Sequence, residues 1–454
     1  MIEAVERYIA DQQRQAIERL DAFLRFPSVS TDPELSGQTR VTGEWVRDQL
    51  AACGLEAELV ETAGHPCVIA DSGPADGGGA TLLIYGHYDV QPAGDESLWK
   101  SEPFEPTTRD GSLFARGAAD DKGQVLAHML AVEAWLKVAK RLPIRVKFLI
   151  EGEEEIGSPN LGELVRQHRD RLACDYVVLS DTAKLDATTP AITYSTKGLV
   201  YKEIVVTGPK SDLHSGSFGG TVANPANVLA GILAGLKDGD ERITIPGFYD
   251  DVRILDAGEV KMLEALPLDD ADYLTMTGSP GFDGEAGYST KIRRWARPTL
   301  DVNGLCSGFI GEGSSTIIPS KAMAKVSMRI VPDQDPEKIS AAFDQAIKAA
   351  APASVRVEVS SHASAAAYVC PLDCPGINAA VSAVEAGFRK KPVLIREGGT
   401  LPILPLFKEV LGAESIMIGF ALPDSNAHGP NEFIVLDDFH AGIRTAAHFM
   451  QRLA

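Results

Sequence analysis

The chain has 454 residues, 43 of them basic and 63 acidic, for a formal charge of −20. That length suits two or three domains, and the negative balance excludes nucleic acid and anionic membrane as general partners, because both need a positive field. The longest apolar run, about nine residues at 228–236, is far short of a membrane span.

In chain order, the N-terminus carries Glu3 and Glu6 where a secretory leader would be basic and then apolar. The six cysteines (Cys53, Cys67, Cys174, Cys306, Cys370, Cys374) are scattered and read as plain thiols, so a cytoplasmic protein is expected. Ile17, Leu20 and Leu24 carry helical spacing, which predicts a helix over 2–26 that stops at Pro27. Short apolar runs at 81–85, 146–150, 176–179 and 415–418 read as strands. Between them, Val125, Met129, Val132 and Leu136 mark a helix over 124–142. Strands alternating with helices predict an α/β fold with a mainly parallel sheet covered by helices. The middle of the chain differs. Runs at 199–206, 322–331 and 355–360 alternate apolar and polar, the pattern of a sheet with one wet face, and helical stretches at 226–236 and 336–350 accompany them. We expect an inserted α+β domain at 199–365 within an outer domain of 1–198 and 366–454, with a less regular, peripheral stretch at 237–300.

Each apolar run of the outer domain is followed by potential metal ligands. His87 and Asp89 follow the first. Glu151, Glu153, Glu154 and Glu155 follow the second, Asp181 the third, and a loop ending in His428 the fourth. Asp120-Asp121 precede the long helix. Ligands of open α/β sheets gather at the carboxyl ends of strands. Each piece has an ordinary reading: a structural histidine, a helix cap at Asp120-Asp121, a solvated acidic turn at 151–155, a cap at Asp181. Together, histidines and carboxylates without cysteine suit a catalytic zinc, manganese or cobalt site. Two histidines and three carboxylates suffice for two metals that share one carboxylate.

Five ordered segments carry a resemblance. They are Gly86-His87-Tyr88-Asp89-Val90-Gln91-Pro92, Arg116-Gly117-Ala118-Ala119-Asp120-Asp121-Lys122-Gly123, Glu154-Glu155-Ile156-Gly157-Ser158, Asp212-Leu213-His214-Ser215-Gly216 and Arg396-Glu397-Gly398-Gly399-Thr400. This set resembles the dinuclear-zinc metallopeptidase family of carnosinases, aminoacylases and glutamate carboxypeptidases, and within it the cytosolic non-specific dipeptidases. The resemblance implies that His87 and Asp181 hold one divalent ion, that Glu155 and His428 hold the other, and that Asp120 bridges them, with a cis peptide to Asp121. It implies Zn2+ at both sites, with Mn2+ or Co2+ as alternatives. It makes Glu154 the general base for a water between the metals, and Asp89 the carboxylate that orients a ligand imidazole. His214 would stabilise the oxyanion from the other subunit of a homodimer formed through the inserted lid/dimerisation domain. Arg329, Thr316, Gly399 and Thr400 would hold the substrate carboxylate and backbone, and Glu397 its amine.

The expected activity is hydrolysis of dipeptides. N-acyl-amino-acid deacylase or carboxypeptidase activity is the alternative, and a non-catalytic binding protein on this fold is the remote one. The expected substrate is thus a short peptide or N-acyl amino acid. Tyr88, Ile156 and Gly429-Pro430 depart from the usual dipeptidase pattern and leave the pocket's shape open. His65, His128, His168, His362, His440 and His448 match no motif and read as structural.

Overall fold

The computed structural model describes residues 1–75 and 78–454. The chain divides into two compact units. The first is Met1–Tyr194, Cys370–Ile395 and Ile403–Ala454; the second is Ser195–Val369 and Arg396–Pro402.

In the first unit the strands lie in the order Glu56–Val60, Cys67–Asp71, Arg145–Glu151, Thr81–His87, Tyr176–Leu179, Glu414–Ile418 and Ala191–Thr196. The four from Arg145–Glu151 to Glu414–Ile418 are parallel to one another, and the outer pairings are antiparallel. The parallel strands are the apolar runs of the sequence. Leu82–Tyr85 and Val146–Ile150 are buried without a break, as expected of strands covered on both faces. Register aligns His87 with Glu151 and Tyr85 with Leu179, so these strands end at one edge.

The helix Lys122–Ala139 is buried nearly all round over its first eight residues, which places it inside the unit rather than on its surface. It packs on Thr81–His87 and against the helices Ile2–Asp11, Gln13–Leu24 and Leu436–Arg452. The single helix expected over 2–26 is two, because Gln12 leaves the helical region at φ −102, ψ 11. Among the described residues no helix is long and apolar enough to cross a membrane.

The second unit holds a four-stranded antiparallel sheet in the order Thr299–Ser307, Lys321–Ile330, Gly198–Thr207, Arg356–Ala365. Strict alternation of burial along Gly198–Thr207 puts Val200, Ile204 and Val206 in the core with Leu229, Ile232, Ile339 and Phe343. The two covering helices start where the sequence dictates: Asn224 and Asp335 each cap the backbone N–H groups beyond a proline at the first turn. Lys202 shares the buried face and is paired with Asp344 at 2.8 Å.

Two further details differ from the sequence reading. The stretch 237–300 contains three helices, Ala257–Glu264, Asp270–Thr277 and Thr290–Ala296, each opened by a capping Asp256, Asp269 or Ser289. Their short apolar faces leave little periodic signal. The sequence division also places 396–402 with the outer domain, whereas this segment belongs to the second unit. The Lys197 N–H donates to the carbonyls of Glu397 and Gly399, and Arg329 donates to Thr400.

Candidate metal centre

His87 is the last residue of its strand and is fully buried. Its Nδ1 lies 3.0 Å from the carbonyl of Asp89, which accepts the Nδ1–H hydrogen bond and leaves Nε2 as the atom that can ligate a metal. Nε2 stands 3.1 Å from Asp120 Oδ1. The other oxygen of Asp120 is 2.9 Å from Nε2 of His428, and the same nitrogen is 3.3 Å from Glu155 Oε2. Two donor groups result, His87–Asp120–Asp181 and Asp120–Glu155–His428, each with ligand atoms within 4.8 Å of one another. Asp120 belongs to both, with one oxygen toward each imidazole. The Asp120–Asp121 peptide is cis.

This arrangement fits metal binding. Two donors on one tetrahedral zinc at about 2.0–2.1 Å stand roughly 3.3 Å apart, and the three separations above lie at or just inside that value. The donor set is all imidazole and carboxylate, as hard and borderline divalent ions prefer. The charge also calls for cations. Asp181 is held up at about 7 by burial and then by Asp120. Glu154 is pushed well above the carboxylate range by burial, with Asp181, Asp120 and Glu155 adding to it. Hydrogen bonds to Asp120 and Glu155 raise His428 to about 10.

The acidic turn is not a solvated one. Glu151 is buried and accepts from the Tyr85 hydroxyl at 2.7 Å and from Ser158 at 2.9 Å. Glu153 is buried and accepts from the His65 N–H at 3.0 Å and from Asn160. With these two acids anchored, the turn Glu154–Ile156 projects Glu154 and Glu155. Asp89 holds the same turn: its two oxygens accept from the N–H groups of Glu154 at 3.2 Å and Glu155 at 3.1 Å. Asp121 stands at the helix start but its side chain makes no cap bond. One of its oxygens faces the His87 N–H at 3.4 Å.

Sequence reasoning missed several polar residues here. Gln91 donates to Glu155 Oε2 at 2.8 Å. Arg116, Gln124 and Glu432 are buried around the Asp120 loop. Three of the four lie in or beside the motif segments, which is the only local signal they carry. Tyr88 is likewise not a pocket residue. It is buried, its hydroxyl donates to the carbonyl of Pro66, and its ring fills the space beside Gly43 and Gly152.

In the second unit the expected substrate residues form two groups. Arg329 is half-buried and donates to Thr400 Oγ1 at 2.7 Å. Burial lowers its pKa, against the pull of Asp301 and Glu397. Glu397 Oε1 accepts from the N–H groups of Gly398 and Gly399, so one of its oxygens is already engaged. Lys197, buried beneath this group, is pushed down to about 7 by burial and then by Arg329. The second group is His214 with Thr316, joined where the Ser215 N–H donates to the Thr316 carbonyl at 2.9 Å. His214 is exposed, and its Nδ1 accepts from the Gly216 and Ser217 N–H groups, which puts the proton on Nε2. A Cβ on Gly216 would meet the imidazole Cε1 at 2.9 Å.

A cleft of about 720 Å³ in the first unit lies among Asp71, Thr81, Arg145, Lys147 and Arg171, at the strand ends opposite His87 and Glu151. Its cations are already engaged, Arg145 by Asp71, Lys147 by the carbonyls of Arg171 and Ala173, and Arg171 by Glu58.

A family model described as Peptidase family M20/M25/M40 matches residues 83–452. The chain is 31% identical to a Cys-Gly metallodipeptidase of Candida albicans, over 97% of this chain and 95% of that one. It is 32% identical to a Beta-Ala-His dipeptidase of Homo sapiens, over 86% of this chain and 78% of that one. The solved structure of an M20 family metallo-carboxypeptidase from Sulfolobus solfataricus superposes with a TM-score of 0.85 at 33% identity, covering 96% of this chain and 98% of that one.

Proposed function

The chain belongs to peptidase family M20/M25/M40, and from that premise we infer that it is a metal-dependent dipeptidase working at the centre around Asp120. The observation that carries this reading is the single carboxylate of Asp120 shared by two donor groups, with Glu154 close enough to interact with His87, Asp181, Asp120 and Glu155. His87 and Asp181 would hold one divalent ion and Glu155 and His428 the other, with Asp120 common to both. Zinc suits these donors, and manganese or cobalt are the alternatives. When bound, such ions supply Lewis-acid polarisation of the scissile carbonyl and lower the pKa of the attacking water from about 15.7 toward about 7.

The chain's own groups do the rest. Glu154, its proton affinity raised by burial among acids, takes the proton of the attacking water and returns it to the departing amine. Asp89 fixes that base by holding the N–H groups of its turn. Arg329 with Thr400 supplies a fork of donors for the carboxylate of a short peptide. Thr316 and Gly399 offer contacts to its backbone, and the open oxygen of Glu397 suits its amine. His214 presents an Nε2–H donor for the oxyanion, and we assign it to the neighbouring site of a homodimer formed through the inserted lid/dimerisation domain. A cytoplasmic location agrees with the six free thiols. The carboxypeptidase reading has one specific observation in its favour, the likeness to the Sulfolobus enzyme. A panel of dipeptides, longer peptides and N-acyl amino acids separates the three activities.

Mixing two variants tests the residue roles. Glu154→Ala and His214→Ala are each expected to retain metal and to lose turnover by about 10²–10⁴-fold. Mixed in equal amounts and allowed to exchange, they should recover about a quarter of wild-type activity, because half the dimers pair an intact base with an intact histidine. Wild-type rates in Glu154→Ala overturn the base. No recovery despite confirmed heterodimers overturns the shared site.

A further inference from the structure

Asp120 and His428 lie about 300 residues apart in the chain, on different segments of the first unit, so noncovalent contacts must hold them at a common distance. The loop that carries Asp120 is outside any strand or helix, and its N–H groups need partners. They find one side chain. The N–H of Gly117 donates to Glu432 Oε2 at 2.9 Å, and those of Ala119 and Asp120 donate to Oε1 at 2.9 and 3.0 Å. Arg116 Nη1 adds a fourth donor to Oε2 at 2.6 Å. The Ala115 N–H donates to the main-chain carbonyl of the same residue at 3.1 Å. Arg116 Nη2 then reaches the carbonyls of Pro92, at 3.1 Å, and Gly429, at 3.2 Å. Glu432 is 0% exposed and Arg116 1%.

A carboxylate so far from water persists only where its lone pairs are filled, and here the Asp120 loop fills them. The result is a knot that joins three segments: the one following His87, the one bearing Asp120 and the one bearing His428. Gln124 makes a second tie between the last two. Its Nε2 donates to the carbonyl of Ala119 at 2.8 Å, and its Oε1 accepts from the N–H groups of Phe420 at 2.7 Å and Ala421 at 3.3 Å.

We propose that Glu432, with Arg116, is the positioning residue that holds Asp120 and His428 at the separation a metal pair requires. It touches neither metal nor substrate and acts only through the loop. The inference rests on the dinuclear reading above, and its test separates the two. Full-length apoprotein is titrated with cobalt(II), following stoichiometry, affinity and the visible spectrum of the bound ion, with circular dichroism as the check of folding. The wild type tests the dinuclear reading: it should take up two ions per chain, one for each donor group. Glu432→Gln keeps the side-chain size and loses the charge. Glu432→Asp keeps the charge and the Arg116 pair but is too short to span the Gly117 and Ala119–Asp120 N–H groups. Both should bind cobalt about 10–100-fold more weakly, the usual effect of losing a ligand's outer partner, and with an altered spectrum. A folded variant with wild-type cobalt affinity and spectrum overturns the proposal. Should neither variant fold, Arg116→Lys keeps the positive charge but loses the forked reach to Glu432, Pro92 and Gly429. Weaker binding with a changed spectrum is then the expected result, and unchanged binding overturns the proposal.

Discussion

Asp120 and Asp121 sit side by side with the same chemistry and opposite surroundings. Burial disfavours charge on both, but the imidazoles of His428 and His87 hold Asp120 below the usual carboxylate range. Asp121 is pushed well above it by burial and by Asp181 and Asp120, with only His87 opposing. The sequence marks the pair as a motif without separating their environments, which depend on residues far along the chain. His128 is the clearest case in which a residue without a motif has a structural task. It is buried, its Nε2 lies 2.7 Å from the Ser180 hydroxyl, and burial lowers its pKa to about 4. In the unfolded chain the imidazole takes its proton near 6.5, and in the folded chain only near 4. Between those values the unfolded state binds more protons. The stability from neutral His128 is therefore full above 6.5 and is lost as pH falls toward 4, by about 3 kcal/mol in all. Urea unfolding of chelated protein at a series of pH values should show a shallower acid loss in His128→Gln than in the wild type. Parallel curves would contradict this.

At the scale of elements, the four parallel strands were legible because each is buried on both faces and so reads as an unbroken apolar run. Their common edge made the ligands legible too, since His87 ends one strand and Glu154, Glu155 and Asp181 closely follow two others. What local pattern could not show was how that edge is packed. Gly86, one residue before His87, is the point where the strand meets the helix Lys122–Ala139. A Cβ there would come 2.3 Å from Val125 Cγ2 and 2.6 Å from Asp121 Oδ2. Gly86→Ala should therefore destabilise the protein by about 1–3 kcal/mol through overpacking. Gly37, in the helix Ser36–Cys53, has no atom within 4 Å of a built Cβ, and Gly37→Ala should gain about 0.5–1 kcal/mol. Chemical unfolding of both variants checks the contrast, and equal effects would contradict it. The three helices within 237–300 and the placement of 396–402 escaped the sequence because short capped helices and long-range backbone bonds leave no periodicity. Glu432 escaped for the same reason, as its donors lie more than 300 residues earlier in the chain.

For the whole molecule, the charge of −20 divides into two kinds of acid. Many carboxylates are exposed or paired at the surface, as Glu58 with Arg171 and Glu61 with Arg40, where such pairs contribute little. Four others, Asp120, Glu154, Glu155 and Asp181, crowd one centre where burial and mutual repulsion raise the proton affinity of Glu154 and Asp181. Divalent cations would answer that crowding; the candidate metal ligands lie in one unit and the half-buried Arg329, donating to Thr400, in the other. The most direct measurement is metal analysis of the purified protein joined to a dipeptide hydrolysis assay before and after chelation. Two divalent ions per chain are expected, one for each donor group, with dipeptide cleavage lost on their removal and restored by zinc, manganese or cobalt. Full activity in metal-free protein, or no cleavage of any dipeptide by fully metallated protein, would contradict this expectation.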